Sequence, residues 1–222
     1  MNDHYTESTA DEPGLEPVFP WPPADGESII AALGAKGRGA ALEPRRFFAA
    51  MPEHAPLAPA LIYYLVIGIA VEGVQLFWSS VLPQFTIERD SVLSAIETET
   101  AWNPVIEFLF SPLLLLLSLF IGAAIVHLLL RLFAGSTRDF GVTTRVFCYS
   151  YSPQVLAVVP VIGAIAGFIW MVIIAIVGLS AAHRTTTGRA AAAVLIPVAF
   201  AVAFIALATF LLAAGSLILA GP

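Results

Sequence analysis

The chain has 222 residues, of which 59% are hydrophobic and 12% charged, and its mean hydropathy is +0.88. Soluble domains carry about 25% charged residues, so this composition excludes an ordinary soluble domain and favours one membrane domain with a short tail. The net charge of −6 indicates no acidic partner surface, because nine of the sixteen acidic residues precede the first long apolar segment, and the single cysteine excludes an intrachain disulfide and a cysteine-based metal site.

The beginning of the chain is acidic and rich in proline. Between Asp3 and Asp25 there is no Lys or Arg, and five prolines occur in this stretch. It lacks the basic start and apolar core of a signal peptide, and it has too little apolar surface to fold. We therefore predict that residues 1–26 form a disordered cytoplasmic tail.

Residues 27–54 have the composition of an amphipathic segment that enters the membrane interface. Pro44 suits a first helical position. Arg45 and Arg46 are candidate contacts for anionic lipid headgroups, and the apolar side chains after them would enter the acyl boundary, namely Phe47, Phe48 and Met51. The open alternative is that the two arginines only flank the first span on its cytoplasmic side.

The remainder, residues 55–222, consists of stretches with almost no charge. A helix of about 20 apolar residues crosses about 30 Å of hydrocarbon, and a helix satisfies its own backbone hydrogen bonds there. The stretch 146–182 is too long for one span and contains Pro160 and Gly163 near its middle, which indicates a helical hairpin. The prediction is an all-α integral membrane protein, a bundle of five transmembrane helices at 57–82, 104–133, 145–159, 161–181 and 190–219.

Loop charge supports this count. With the amino terminus in the cytoplasm and the carboxyl terminus outside, nine of the ten basic residues lie on the cytoplasmic side and only Arg89 lies outside. Retention of positive charge in the cytoplasm predicts such a division. Four crossings would place Arg184 and Arg189 on the opposite side and weaken the asymmetry.

Glu72 is the main candidate for an intramembrane site. An ionisable group in the middle of a span is costly and usually faces protein or water, and Gln75 lies near the same helix face. One interpretation is a proton or cation site in a small transporter or channel. The other, which we weigh somewhat more heavily, is a neutral or hydrogen-bonded side chain that fixes helix packing.

Other polar residues lie in the second and third predicted spans. Tyr149, Tyr151 and Ser152 precede Pro153, which removes a backbone donor, frees the carbonyl of Tyr149 and kinks the helix. Such a broken helix could line a substrate site, but packing of a kinked helix is the better explanation. His127 lies near the cytoplasmic end of its span without a second ligand at a suitable spacing, so the sequence indicates no metal, no cofactor and no catalytic residue.

Taken in order, three stretches of sequence resemble the Yip1 domain, a five-helix membrane module of bacteria and of the eukaryotic early secretory pathway. The first is Pro20-Trp21 with Glu43–Met51, and the second is Phe147–Pro153 with Val159–Gly163. The third is Trp170–Leu179 with His183–Ala190. The resemblance covers about Trp21 to Leu212, and the short tail and compact loops fit the bacterial branch.

The resemblance implies a non-enzymatic integral membrane protein of a bacterial inner membrane. Such a protein would act through contacts with lipid or other membrane proteins, in membrane organisation or trafficking, and nucleic acid is not among the expected partners. Eukaryotic relatives are described as binding prenylated Rab GTPases. Their Asp-Leu-Tyr-Gly-Pro-type segment has no counterpart in His54–Ala60, which places Rab-type GTPase binding in doubt.

Overall fold

The computed structural model describes residues 28–81, 104–134 and 138–220. All regular structure in these ranges is helical. The helices are α1 (Ile29–Leu42), α2 (Pro44–Ala49), α3 (Ala58–Val81), α4 (Pro104–Ala134), α5 (Phe140–Ser150), a 3₁₀ helix (Ser152–Val158), α6 (Ile162–Ala182) and α7 (Thr187–Ala220). The predicted tail at 1–26 lies outside the described residues.

Four of these helices are long and apolar enough to cross a membrane, namely α3 over Ala58–Val81, α4 over Val105–Phe133, α6 over Ile162–Ala182 and α7 over Thr187–Leu211. Apolar side chains cover most of the surface of each helix, and many large ones are exposed. This is the pattern of helices that face lipid rather than water. The four correspond to the predicted spans at 57–82, 104–133, 161–181 and 190–219.

The segment predicted as a helix over 145–159 folds differently. Helix α5 begins earlier, at Phe140, and ends at Ser150, and the chain continues as a 3₁₀ helix over Ser152–Val158. Pro153 explains the break, because its ring and its missing N–H prevent the α-helical hydrogen bond to Tyr149. The freed carbonyl is satisfied locally, since Ser152 Oγ donates to Tyr149 O at 2.5 Å. The side chain of Ser152 thereby stabilises the kink that the proline creates.

The 3₁₀ helix packs along α6 at very short range. A γ-turn joins them, with the amide N of Ile162 donating to Pro160 O at 2.7 Å and Val161 at φ 62°. Positive φ is rare for a β-branched residue. Two glycines then allow backbone contact, since a Cβ added to Gly163 would lie 1.8 Å from Leu156 O and one added to Gly167 would lie 2.8 Å from Pro153 O.

The entry segment packs inside the protein. Phe47 and Phe48 are 3% and 0% exposed, so our expectation that they enter the acyl boundary differs from the structure. The ring of Phe48 lies against Gly178, where an added Cβ would approach it to 2.7 Å. The ring of Phe47 meets that of Tyr149 edge to face at 5.4 Å. Aromatic burial of this kind fixes α2 against α5 and α6.

Candidate functional site

Several polar and charged side chains of the described residues lie together at one end of the bundle, which we call the basic end. It consists of α2 and the segment that follows it (residues 44–57), the last two turns of α4, residues 138 and 139 with the first two turns of α5, and the residues between α6 and α7 (183–186). Arg138 pairs with Glu53 at 3.6 Å across two of these segments. Arg145 contacts the segment before α3, and His183 is linked to α4 and α5 through Thr143.

Arg145 holds the segment that leads into α3. Its guanidinium, which belongs to a residue 5% exposed, donates to the backbone oxygens of Pro52 at 3.2 Å, Glu53 and Ala55. Arg suits this task because its planar group presents five donors in a fixed geometry. The side chain therefore anchors α2 and the following segment to α5.

A chain of three side chains links α4, α5 and the end of α6. His127 Nδ1 lies 2.8 Å from Thr143 Oγ1, which lies 3.0 Å from His183 Nε2. Thr143 is 0% exposed and His183 is 4% exposed. The threonine hydroxyl has one proton, so it can donate to one neutral imidazole while it accepts from the N–H of the other. The tautomers of the two histidines are therefore coupled through Thr143.

Burial, together with the smaller effects of the positive charges on His127, when protonated, and on Arg138, lowers the pKa of His183 to about 4. An unfolded histidine titrates near about 6.5. Between these values the unfolded chain binds a proton that the folded protein does not, so stability falls as the pH falls through this range and is unaffected above it.

We therefore expect this histidine to destabilise the protein by about 3 kcal/mol at pH 4 relative to pH 7.5. Thermal unfolding in detergent between pH 7.5 and pH 4 measures the change. In the matched variant His183→Gln the loss should be smaller, because the amide does not titrate. Equal pH dependence in both proteins would contradict the assignment.

The structure places the predicted site residues in separate locations. Tyr149 and Ser152 meet at the kink, where the hydroxyl of Tyr63 lies 2.7 Å from Ser152 Oγ. Because Ser152 donates to Tyr149 O, the tyrosine hydroxyl donates to Ser152. The ring of Tyr151 packs against Tyr64 at 4.7 Å between centroids. The kink is thus a packed, hydrogen-bonded joint between α3 and the 3₁₀ helix.

Glu72 and Gln75 lie away from this contact between α3 and the 3₁₀ helix. Glu72 is half-buried in α3 and Gln75 is exposed, and Glu72 lies two helical turns beyond Tyr64, about 12 Å along the axis. Neither side chain makes a hydrogen bond to another residue in the described ranges. Arg45 and Arg46 are exposed on α2, where Arg46 lies 3.5 Å from Glu43.

Three residues of the basic end, Arg145, Thr143 and His183, could not be recognised as site residues from the sequence. Arg145 is the first residue of the predicted span at 145–159, and Thr143 and His183 lie outside the predicted spans. No spacing rule relates His127 to residues 16 and 56 positions later. The available signal was the polar stretch Thr143-Thr144-Arg145 at the start of an otherwise apolar segment, which indicates a helix start buried against protein.

All regular structure of the described residues is helical, and four of the helices are apolar and long enough to span a membrane, which indicates an integral membrane protein. The sequence profile of the Yip1 domain matches residues 38–211. The chain belongs to the Yip1 family, as its motifs predicted. No curated protein and no solved structure is similar enough to match it.

Proposed function

We propose that this is a non-enzymatic Yip1-family protein that acts through lipid or protein contacts made at its basic end, in membrane organisation or trafficking. The proposal rests on one observation, that the buried polar side chains of the basic end are hydrogen-bonded within the protein. Arg145 is committed to backbone oxygens and Thr143 to two histidines, which suits a fixed scaffold. The exposed cations Arg45 and Arg46 then face outward on α2, where partners can reach them.

Contact sites can be mapped by photo-crosslinking in cells. A benzophenone amino acid at Arg46, which is exposed, should form discrete adducts with a protein or lipid. The same probe at Phe210, 69% exposed on α7, is the matched control and should show only diffuse lipid labelling. Identical labelling at both positions would count against contacts at the basic end.

The crossing number in this proposal remains five, in a bacterial inner membrane with the amino terminus in the cytoplasm. Helix α5 and the 3₁₀ helix have 11 and 7 residues, and rises of about 1.5 and 2.0 Å per residue give a combined length of about 30 Å. This length is sufficient for a broken crossing. With this fifth crossing, the basic end lies on the cytoplasmic side, as retention of positive charge in the cytoplasm predicts.

Single cysteines in a Cys148→Ala background test this arrangement. An impermeant thiol reagent added to intact cells should label a cysteine at Val159, in the turn before α6. Cysteines at Glu53 and Thr186 should react only after permeabilisation, because five crossings place both in the cytoplasm. Labelling of Thr186→Cys from outside would show that the region from α5 to α6 crosses once.

The rival function is a small transporter or channel with a proton or cation site at Glu72. Its support is the half-buried carboxyl group within a span, where charge is costly. Flux into proteoliposomes that depends on Glu72 and is lost in Glu72→Gln, with unchanged folding, would favour this rival. Equal flux in the two proteins would remove it.

A further inference from the structure

A groove opens at the basic end between the last turns of α4 and the first turn of α5. Its volume is about 380 Å³. Its lining combines charged and apolar side chains, namely Ala124, His127, Leu128, Arg131, Arg138, Asp139 and Phe140. The hydrogen bonds of Arg145 to residues 52–55 do not explain why charged and apolar side chains meet in this groove. The proposed contacts of Arg45 and Arg46 do not explain it either.

The charged side chains of the groove have both signs. Arg131 is exposed in the last turn of α4, and its guanidinium makes no ion pair with the residues that the structure describes. Arg138 lies beside it and is partly neutralised by Glu53 at 3.6 Å. Asp139 is exposed at the start of α5, and its carboxylate does not cap that helix. The groove thus offers cationic and anionic groups side by side.

The other walls are apolar and continue onto the membrane-facing surface. Leu128 is 68% exposed on α4, and Leu132, one turn further, is 75% exposed. In a spanning helix such leucines face acyl chains. The imidazole of His127 is held by Thr143 through Nδ1, which leaves Nε2 as the nitrogen that can meet a ligand. A charged recess that opens onto lipid suits an amphipathic molecule.

We propose that this groove binds the headgroup of a zwitterionic phospholipid with a primary ammonium group. Arg131 and Arg138 would contact the phosphate, Asp139 would contact the ammonium, and Leu128 would pack on the glycerol and upper acyl region. Arginine suits phosphate because it can donate two parallel hydrogen bonds. Phosphatidylglycerol would offer Asp139 no cationic group, and free phosphate would leave the apolar wall unused. This site rests on the proposed function, because it names one lipid contact of the basic end.

Binding to the purified full-length protein in detergent tests the proposal. The probes are dihexanoyl phosphatidylethanolamine, dihexanoyl phosphatidylglycerol and inorganic phosphate, each titrated and followed by native mass spectrometry. We expect saturable binding of the ethanolamine lipid at least tenfold tighter than that of the other two. Arg131→Gln should weaken it about tenfold or more, while the exposed Arg189→Gln, outside the groove, should bind as the wild type does.

Asp139→Asn provides a second variant that keeps the fold, since Asp139 is exposed, its side chain makes no capping hydrogen bond, and asparagine is as favourable as aspartate at a helix N-cap. It should remove the preference for ethanolamine over glycerol without abolishing binding. Equal affinity of the wild type for both lipids would overturn the proposal, as would phosphate binding as tight as lipid binding. So would unchanged binding by Arg131→Gln.

The outcome for the groove is separable from that for the proposed function. Discrete adducts at Arg46 without ethanolamine-lipid binding would overturn the groove and leave the proposed function standing. Specific lipid binding together with flux that depends on Glu72 would support the groove and overturn the non-transport function.

Discussion

Gly163→Ala is expected to be one of the two most damaging single substitutions in this protein. The added Cβ would lie 1.8 Å from Leu156 O and 2.8 Å from Leu156 C. Both are backbone atoms, so no side-chain rotation relieves the clash, and the 3₁₀ helix must move away from α6. Overpacking of this kind typically costs about 1–3 kcal/mol, and we expect a value at or above the top of that range. Thermal unfolding in detergent measures it.

Gly122→Ala is the matched control, because it lies inside α4 and an added Cβ there meets no heavy atom within 4 Å. An alanine in a helix interior is more favourable than glycine by about 0.5–1 kcal/mol, so this variant should be as stable as the wild type or slightly more stable. If Gly163→Ala unfolds within one degree of Gly122→Ala, the close packing of the 3₁₀ helix on α6 is wrong.

The pair Gly163 and Gly167 illustrates what the sequence could predict about the fold. Their Gly-xxx-Gly spacing predicts close helix contact, and Pro160 predicts a hairpin break between two segments. The partner was not predictable, because Leu156 O and Pro153 O approach these glycines only when residues 152–158 adopt the tighter 3₁₀ geometry. Runs of that length are uncommon, and no residue pattern distinguishes them from an α-helix. The apolar helices and the kink at Pro153 follow from the sequence, whereas the 3₁₀ geometry of residues 152–158 and their contact with α6 do not.

Among the candidate sites, contacts between sequence neighbours could be predicted, whereas contacts between different helices could not. Pro153 and Ser152 are adjacent, so their local hydrogen bond could be anticipated from backbone geometry. Thr143 meets His127 and His183 only through the packing of three helices, and such contacts leave no periodic signal. The same applies to the groove, where Arg131 and Asp139 belong to different helices. Glu72 is a candidate site residue because charge within a span is rare, but this rarity does not identify what the carboxyl group binds.

Arg145→Met is the second substitution with a large expected effect. It removes the donor to the backbone oxygens of Pro52, Glu53 and Ala55, and a hydrogen bond that involves a charged group contributes about 1.5–3 kcal/mol. Removal of a buried charge offsets part of this cost, so we expect a net loss of about 3 kcal/mol. The loss should be local as well as global, because residues 50–57 lose their attachment to α5.

Hydrogen exchange of the peptide covering residues 50–57, together with thermal unfolding in detergent, measures both effects. Faster exchange should appear in this peptide and not in α7. Arg145→Lys should fall between the variant and the wild type, since an ammonium keeps the charge but cannot bond all three oxygens in the geometry of the guanidinium. Arg189→Met, at an exposed position, is the control and should change neither measurement. Slow exchange at residues 50–57 in Arg145→Met would show that α2 is held by Phe47 and Phe48 alone, whose rings pack against α5 and α6 independently of the arginine.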